Sequence, residues 1–111
     1  MRTLVDGRPP VRSAPRMDEL QARRDELLAI FERNGAHAVR VFGSVARGDS
    51  DENSDVDFLV AFEPGRSLLD LAGLVGDLED DLGCPVNVVS ENGLRPGSRF
   101  SERVRTEAMP L

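Results

Sequence analysis

Apolar residues recur at helical spacing over residues 17–34. Leu20, Leu27, Ile30 and Phe31 share one face, while Glu19, Arg23, Arg24 and Arg33 lie off it. Asn34-Gly35 supplies a stop, since both residue types tolerate a left-handed backbone. Residues 37–42 read as a short strand with Val39 and Val41 on one face. The run Gly43-Ser44-Val45-Ala46-Arg47-Gly48 predicts a tight turn into one helical turn, and a polar loop follows over 49–54. Residues 55–62 have the branched and aromatic content of a buried strand, broken by two aspartates near its start. Ser67 with Asp70 makes a near capping box. It opens a helix to about residue 81, with Leu68, Leu71, Leu74, Val75 and Leu78 expected inward. Residues 85–90 read as a third strand. Residues 96–108 read as a last helix, with Phe100 and Val104 at i, i+4 spacing. This order of elements implies an α/β (α+β) fold, a small sheet with helices packed against it.

Periodicity is weak before Met17. Residues 1–16 hold Pro9, Pro10, Pro15 and four arginines, and read as a disordered leader to a domain spanning 17–111. Met17 itself is a candidate start. The chain has 111 residues, enough for one small domain and one modest core. No apolar run approaches the roughly 20 residues of a membrane span, and no secretory signal is visible, so the expected location is the cytoplasm.

Charge narrows the function. The net charge is −6, and all 14 basic residues are arginine. Bulk electrostatic binding of nucleic acid is therefore not expected, whereas a small ligand carried with metal ions or a basic protein partner fits. Cys84 is the only cysteine and His37 the only histidine, so no disulfide and no Cys/His zinc site can form within the chain. Any metal site must use oxygen ligands, which points to magnesium or manganese. Cys84 reads as a small buried hydrophobe and His37 as a surface residue.

The informative chemistry lies in Gly43-Ser44, ten residues, then Asp55-Val56-Asp57. Two aspartates at i, i+2 on a strand face the same side, with Cα atoms roughly 6–7 Å apart. Their carboxylates repel unless a cation lies between them, and a hard divalent ion shared with substrate phosphates satisfies both. Gly43 allows close backbone approach at the turn. Ser44 lies near a helix start, where free N–H groups and a hydroxyl can hold phosphate oxygens. Arg47, one turn on, can add a charge-assisted contact. Gly-Ser before a short helix is by itself a common cap. With the aspartate pair on the next strand, it makes a phosphate holder beside a metal holder.

These residues resemble the nucleotidyltransferase signature of the DNA polymerase beta superfamily. The longer string GSVARGDSDENSDVDFLV looks like the minimal nucleotidyltransferases found beside HEPN toxins. The resemblance runs from about Met17 to the closing Glu107-Ala108-Met109-Pro110-Leu111. It implies a small mixed sheet flanked by helices. It also implies that Ser44 and the backbone at Gly43 hold the triphosphate of ATP, where Arg47 can add its contact, and that Asp55 and Asp57 bind two magnesium ions. AMP would pass to a tyrosine of a helical HEPN ribonuclease, whose toxicity is neutralised by modification, by binding, or by both.

One position departs from the family pattern. The next core strand usually carries a third carboxylate, and here it reads Val86-Asn87-Val88-Val89. An Asn87 oxygen can ligate a metal without charge, but it cannot accept a proton near neutral pH. Loss of general-base help slows transfer by roughly 10²–10⁴. Glu91 lies roughly 13 Å further along if the strand continues, too far to substitute. Asp49, Asp51 and Glu52 read as a solvated loop face, and Arg66, Arg95, Arg99, Arg103 and Arg105 as a solvated arginine set. An antibiotic nucleotidyltransferase usually has a second, helical domain, yet only about 50 residues follow the metal strand. A template-directed polymerase needs nucleic-acid-binding domains that the chain lacks.

Overall fold

The computed structural model describes residues 14–111. The expected leader falls largely outside these residues. Ala14, inside that expected leader, packs against the core. The elements run α1 (Met17–Ala22), α2 (Arg24–Arg33), β1 (Ala36–Phe42), α3 (Gly43–Arg47), β2 (Val56–Phe62), α4 (Leu68–Leu82), β3 (Val86–Ser90), a 3₁₀ turn (Glu91–Gly93), α5 (Arg99–Glu107) and β4 (Met109–Pro110). The strands form one mixed sheet in the order β3-β2-β1-β4. β1 is antiparallel to both β2 and β4, and β2 is parallel to β3. The parallel pair is joined through α4, as a crossover requires.

One sheet face carries most of the core. Val39 and Val41 of β1, Val56, Phe58 and Val60 of β2, and Val86 of β3 meet Leu27, Ile30 and Phe31 of α2 and Leu74, Leu78 and Leu82 of α4. Phe31 stacks edge-on against Phe58 with ring centroids 5.0 Å apart. Cys84 lies buried in this cluster, and His37 is exposed. The opposite face holds a smaller cluster of Phe42, Leu59, Leu94 and Val104. Phe42, Leu59 and Val104 come from β1, β2 and α5. This face also carries the polar residues of the site, because strand side chains alternate.

Two expectations need correction, and one strand goes unpredicted. The helical pattern over 17–34 is two helices, broken at Arg23, whose backbone (φ −105°, ψ 20°) ends α1 and begins α2. The periodicity survives the break, and the Arg23 guanidinium holds the corner by pairing with Glu26 and Asp81. Leu68 does not face inward: it is 81 % exposed, as is its neighbour Leu69 at 84 %. Ser67 does cap α4 with Asp70 as its box partner, but the helix reaches the core only from Leu74 onward. Periodicity sets the face of a helix, not where the sheet beneath it ends. Finally, β4 was not expected. Two residues are too short to show alternation, and one of them is a proline.

Helix α2 ends as the sequence suggests, with the left-handed turn falling on Gly35 (φ 79°) alone. A side chain there would run into the Arg66 guanidinium. Among the described residues no helix is long and apolar enough to cross a membrane.

Candidate active site

Asp55 and Asp57 project from the start of β2 on the face opposite the main core. Val56, between them, is fully buried among the core residues and fixes their direction. Its N–H donates to the Pro85 carbonyl at 3.1 Å, which anchors β2 beside β3. The parallel register then sets Asn87 opposite Asp57.

The Asn87 side-chain amide bridges the two acids. Its Nδ2 donates to Asp55 Oδ2 at 3.1 Å and to Asp57 Oδ1 at 3.0 Å. A neutral amide N–H₂ thus stands where a cation would offset both charges. Asp57 is half-buried, and that burial pushes its carboxyl above the usual carboxylate range. The Asn87 hydrogen bond works against the shift, the Asp55 charge adds to it, Arg47 opposes it, and Glu107 adds to it.

The turn after β1 presses against this pair. Gly43 has φ 75°, and a Cβ there would sit 2.2 Å from Asp57 Oδ2. Only glycine lets the turn approach the carboxylate this closely. Phe42, extended, precedes α3, and Gly48 closes it with a left-handed backbone. The Ser44 carbonyl accepts from the N–H groups of Gly48 and Asp49, both at 3.0 Å. Ser44 and Gly43 are partly exposed. The chain therefore brings Gly43, Ser44, Asp55, Asp57 and Asn87 to one end of the sheet.

Arg47 reaches the same end, engaged by two acids. Its Nη1 donates to Glu107 Oε2 at 3.0 Å and its Nε to Asp49 Oδ2 at 3.2 Å. Glu107 also accepts from the Gly43 N–H at 3.3 Å through its other oxygen. Sequence reasoning assigned no role to Glu107. The contacts span 60 and 64 residues, and no local pattern announces them.

Two further acids are committed elsewhere. Glu91 pairs with Arg40 of β1. Asp51 accepts from the Asn53 N–H at 2.8 Å and from the Ser54 hydroxyl, shaping its own loop. Among the described residues no three acidic, histidine or cysteine side chains converge on one point. Two carboxylates with one amide remain. That all-oxygen set suits magnesium, which is typically held by one or two carboxylates with phosphates and water completing the shell. Asn87 fits this set if its amide turns to present Oδ1.

A glycine-serine turn pressed against an aspartate pair can hold phosphate oxygens beside a cation. Residues 24–109 match the nucleotidyltransferase domain, and the chain belongs to that family. It is 54 % identical to a solved structure provisionally assigned as a minimal nucleotidyltransferase, with a TM-score of 0.75 over 87 % of this chain and 97 % of that one. It is 44 % identical over 78 residues to the protein adenylyltransferase MntA of Thermococcus cleftensis, covering 70 % of this chain and 76 % of the relative. A toxin–antitoxin crystal structure with AMP-PNP shares the fold, with a TM-score of 0.66 at 19 % identity, over 78 % of this chain and 69 % of that one.

Proposed function

We infer that this chain is an antitoxin-type protein adenylyltransferase, moving AMP from ATP to a tyrosine of a HEPN-type ribonuclease toxin. The observation that carries the reading is the aspartate pair held against the Gly43-Ser44 turn at one end of the sheet. Its relative MntA is named for protein adenylylation, and the structural neighbour with AMP-PNP is a toxin–antitoxin pair.

The reaction joins the tyrosine oxygen to the α-phosphorus of ATP and breaks the α–β phosphoanhydride. Pyrophosphate leaves, and the phenolic proton passes to solvent or a base. Gly43 N–H, the Ser44 hydroxyl and Arg47 hold the phosphates and fix the direction of departure. Asp55 and Asp57 would hold two magnesium ions, which supply charge stabilisation for the phosphates and acidify the acceptor hydroxyl. In the free protein the Asn87 amide donates to both carboxylates and opposes the upward shift at Asp57. Asn87 does not take the proton, so turnover is slower than in relatives with a third carboxylate. The cytoplasm, where ATP and such a toxin meet, is the fitting location.

A second reading has its own observation. An amide that already satisfies both aspartates resembles a site kept for its shape, in a protein that neutralises the toxin by covering it. The double variant Asp55→Ala/Asp57→Ala separates the two. Loss of neutralisation with toxin binding retained supports catalysis, and full neutralisation by the variant supports occlusion.

A further inference from the structure

Glu107 is in an electrostatically poor place. It is the last residue of α5, where the helix dipole disfavours an anion. Its side chain is only 18 % exposed, so water screens it little. What holds the carboxylate is the Gly43 N–H at one oxygen and the Arg47 guanidinium at the other. These are two of the groups assigned to the nucleotide's phosphates. The carboxylate is delivered there by a fixed frame. Just beyond it, Met109 and Pro110 pair with Val41 and Arg40 of β1, and the Leu111 N–H donates to the Val39 carbonyl at 3.2 Å. It is not a replacement third metal ligand, since no three acids converge among the described residues.

We propose that the Glu107 carboxylate is a built-in competitor for the phosphate-binding donors, which a nucleoside triphosphate must displace in order to bind. The proposal rests on the nucleotide-site reading above. Glu107 and phosphate oxygens are anions seeking the same N–H groups, so only one set can be fully satisfied at a time. A triphosphate with its metal brings more charge and more contacts than one carboxylate and wins. A monophosphate offers too little and is kept out. Glu107 thereby sets both affinity and selectivity for chain length of the phosphate, while bracing α3 against α5 in the free protein.

The test is equilibrium binding of Mg·ATP and of AMP to the full chain, wild type against Glu107→Gln. The neutral isostere is expected to bind Mg·ATP about tenfold tighter and to admit AMP more readily, while melting at a lower temperature. In an Arg47→Ala background, Glu107→Gln is expected to lose most of that gain, because Arg47 is the donor it releases. Unchanged or weaker Mg·ATP binding by a folded Glu107→Gln variant overturns the proposal and shows that Glu107 organises the turn. Should the variant fail to fold, the Gly43 amide resonance of the wild-type protein serves. A shift on titration with Mg·ATP, larger than with AMP at equal concentration, agrees with displacement, and an unmoved resonance refutes it. AMP transfer to the toxin with no gain in the variant removes the proposal and leaves the enzyme standing. A gain without transfer does the reverse.

Discussion

The two faces of the sheet are built on opposite terms. On one face Val56, Phe58 and Val60 meet α2 and α4 in a dry apolar layer. On the other, Asp55, Asp57 and Asn87 crowd together at the strand ends beside a small cluster of four apolar residues. The same strand serves both, because its side chains alternate. The first face supplies stability. The second gives some of it up, since half-burial and neighbouring acids hold the Asp57 carboxyl above its usual range, and its ionised form opposes folding. A domain this small can carry such a site only because the first face is complete.

That division can be tested by changing each face in turn. The largest stability effect is expected from Phe58→Ala, which removes a fully buried ring and its edge-on contact with Phe31. A loss of about 3–5 kcal/mol in denaturant unfolding is expected, whereas a loss under 1 kcal/mol would mean that this layer is not the main support. Asn87→Asp tests the polar face. It adds a third acid beside Asp55 and Asp57, so the metal-free protein should melt lower and magnesium should raise its melting point more than in the wild type. If a carboxylate at position 87 acts as the base, transfer should also quicken by about 10²-fold or more. A variant indifferent to magnesium would show that position 87 does not face the metal.

Smaller effects test the frame around the site. Ser67→Ala removes a cap whose hydroxyl accepts from the Leu69 N–H at 3.2 Å, and should cost about 1 kcal/mol without changing transfer. The smallest effect concerns acid. The Asp77 carboxyl is held below the usual range by the Asn34 amide and then by Arg33, and Asp70 by the Ser67 N–H and then by Arg66. A lowered folded-state value gives stability that is present above the ordinary carboxylate pKa of about 4 and lost as pH falls through the lowered value. Both groups are partly exposed and screened by solvent, so the effect is slight. Thermal melts from neutral pH to pH 3 should fall a little less steeply in Asp70→Asn/Asp77→Asn than in the wild type, and parallel curves would remove these pairs from the account.

Much of the site was legible because its chemistry is local. Asp55 and Asp57 declare themselves through strand alternation, and Gly43-Ser44 through the turn that only glycine permits. Asn87 was found through family resemblance, and its bridging of both acids follows from the parallel register of β2 with β3. What escaped was set by distance in sequence or by the edges of packing. Glu107 meets Gly43 and Arg47 only after the chain has closed the sheet with β4, two residues long. Leu68 and Leu69 continue an apolar face past the point where the core ends. The break at Arg23 leaves the apolar spacing of two helices reading as one.

The central claim is that the polar face transfers AMP. The purified protein should be mixed with the proposed HEPN-type toxin, magnesium and ATP, and the toxin weighed by intact mass spectrometry. The account predicts a gain of one or more AMP units that is absent with Asp55→Ala/Asp57→Ala. A toxin that is bound and silenced yet gains no mass would contradict it and leave a nucleotidyltransferase fold kept for binding.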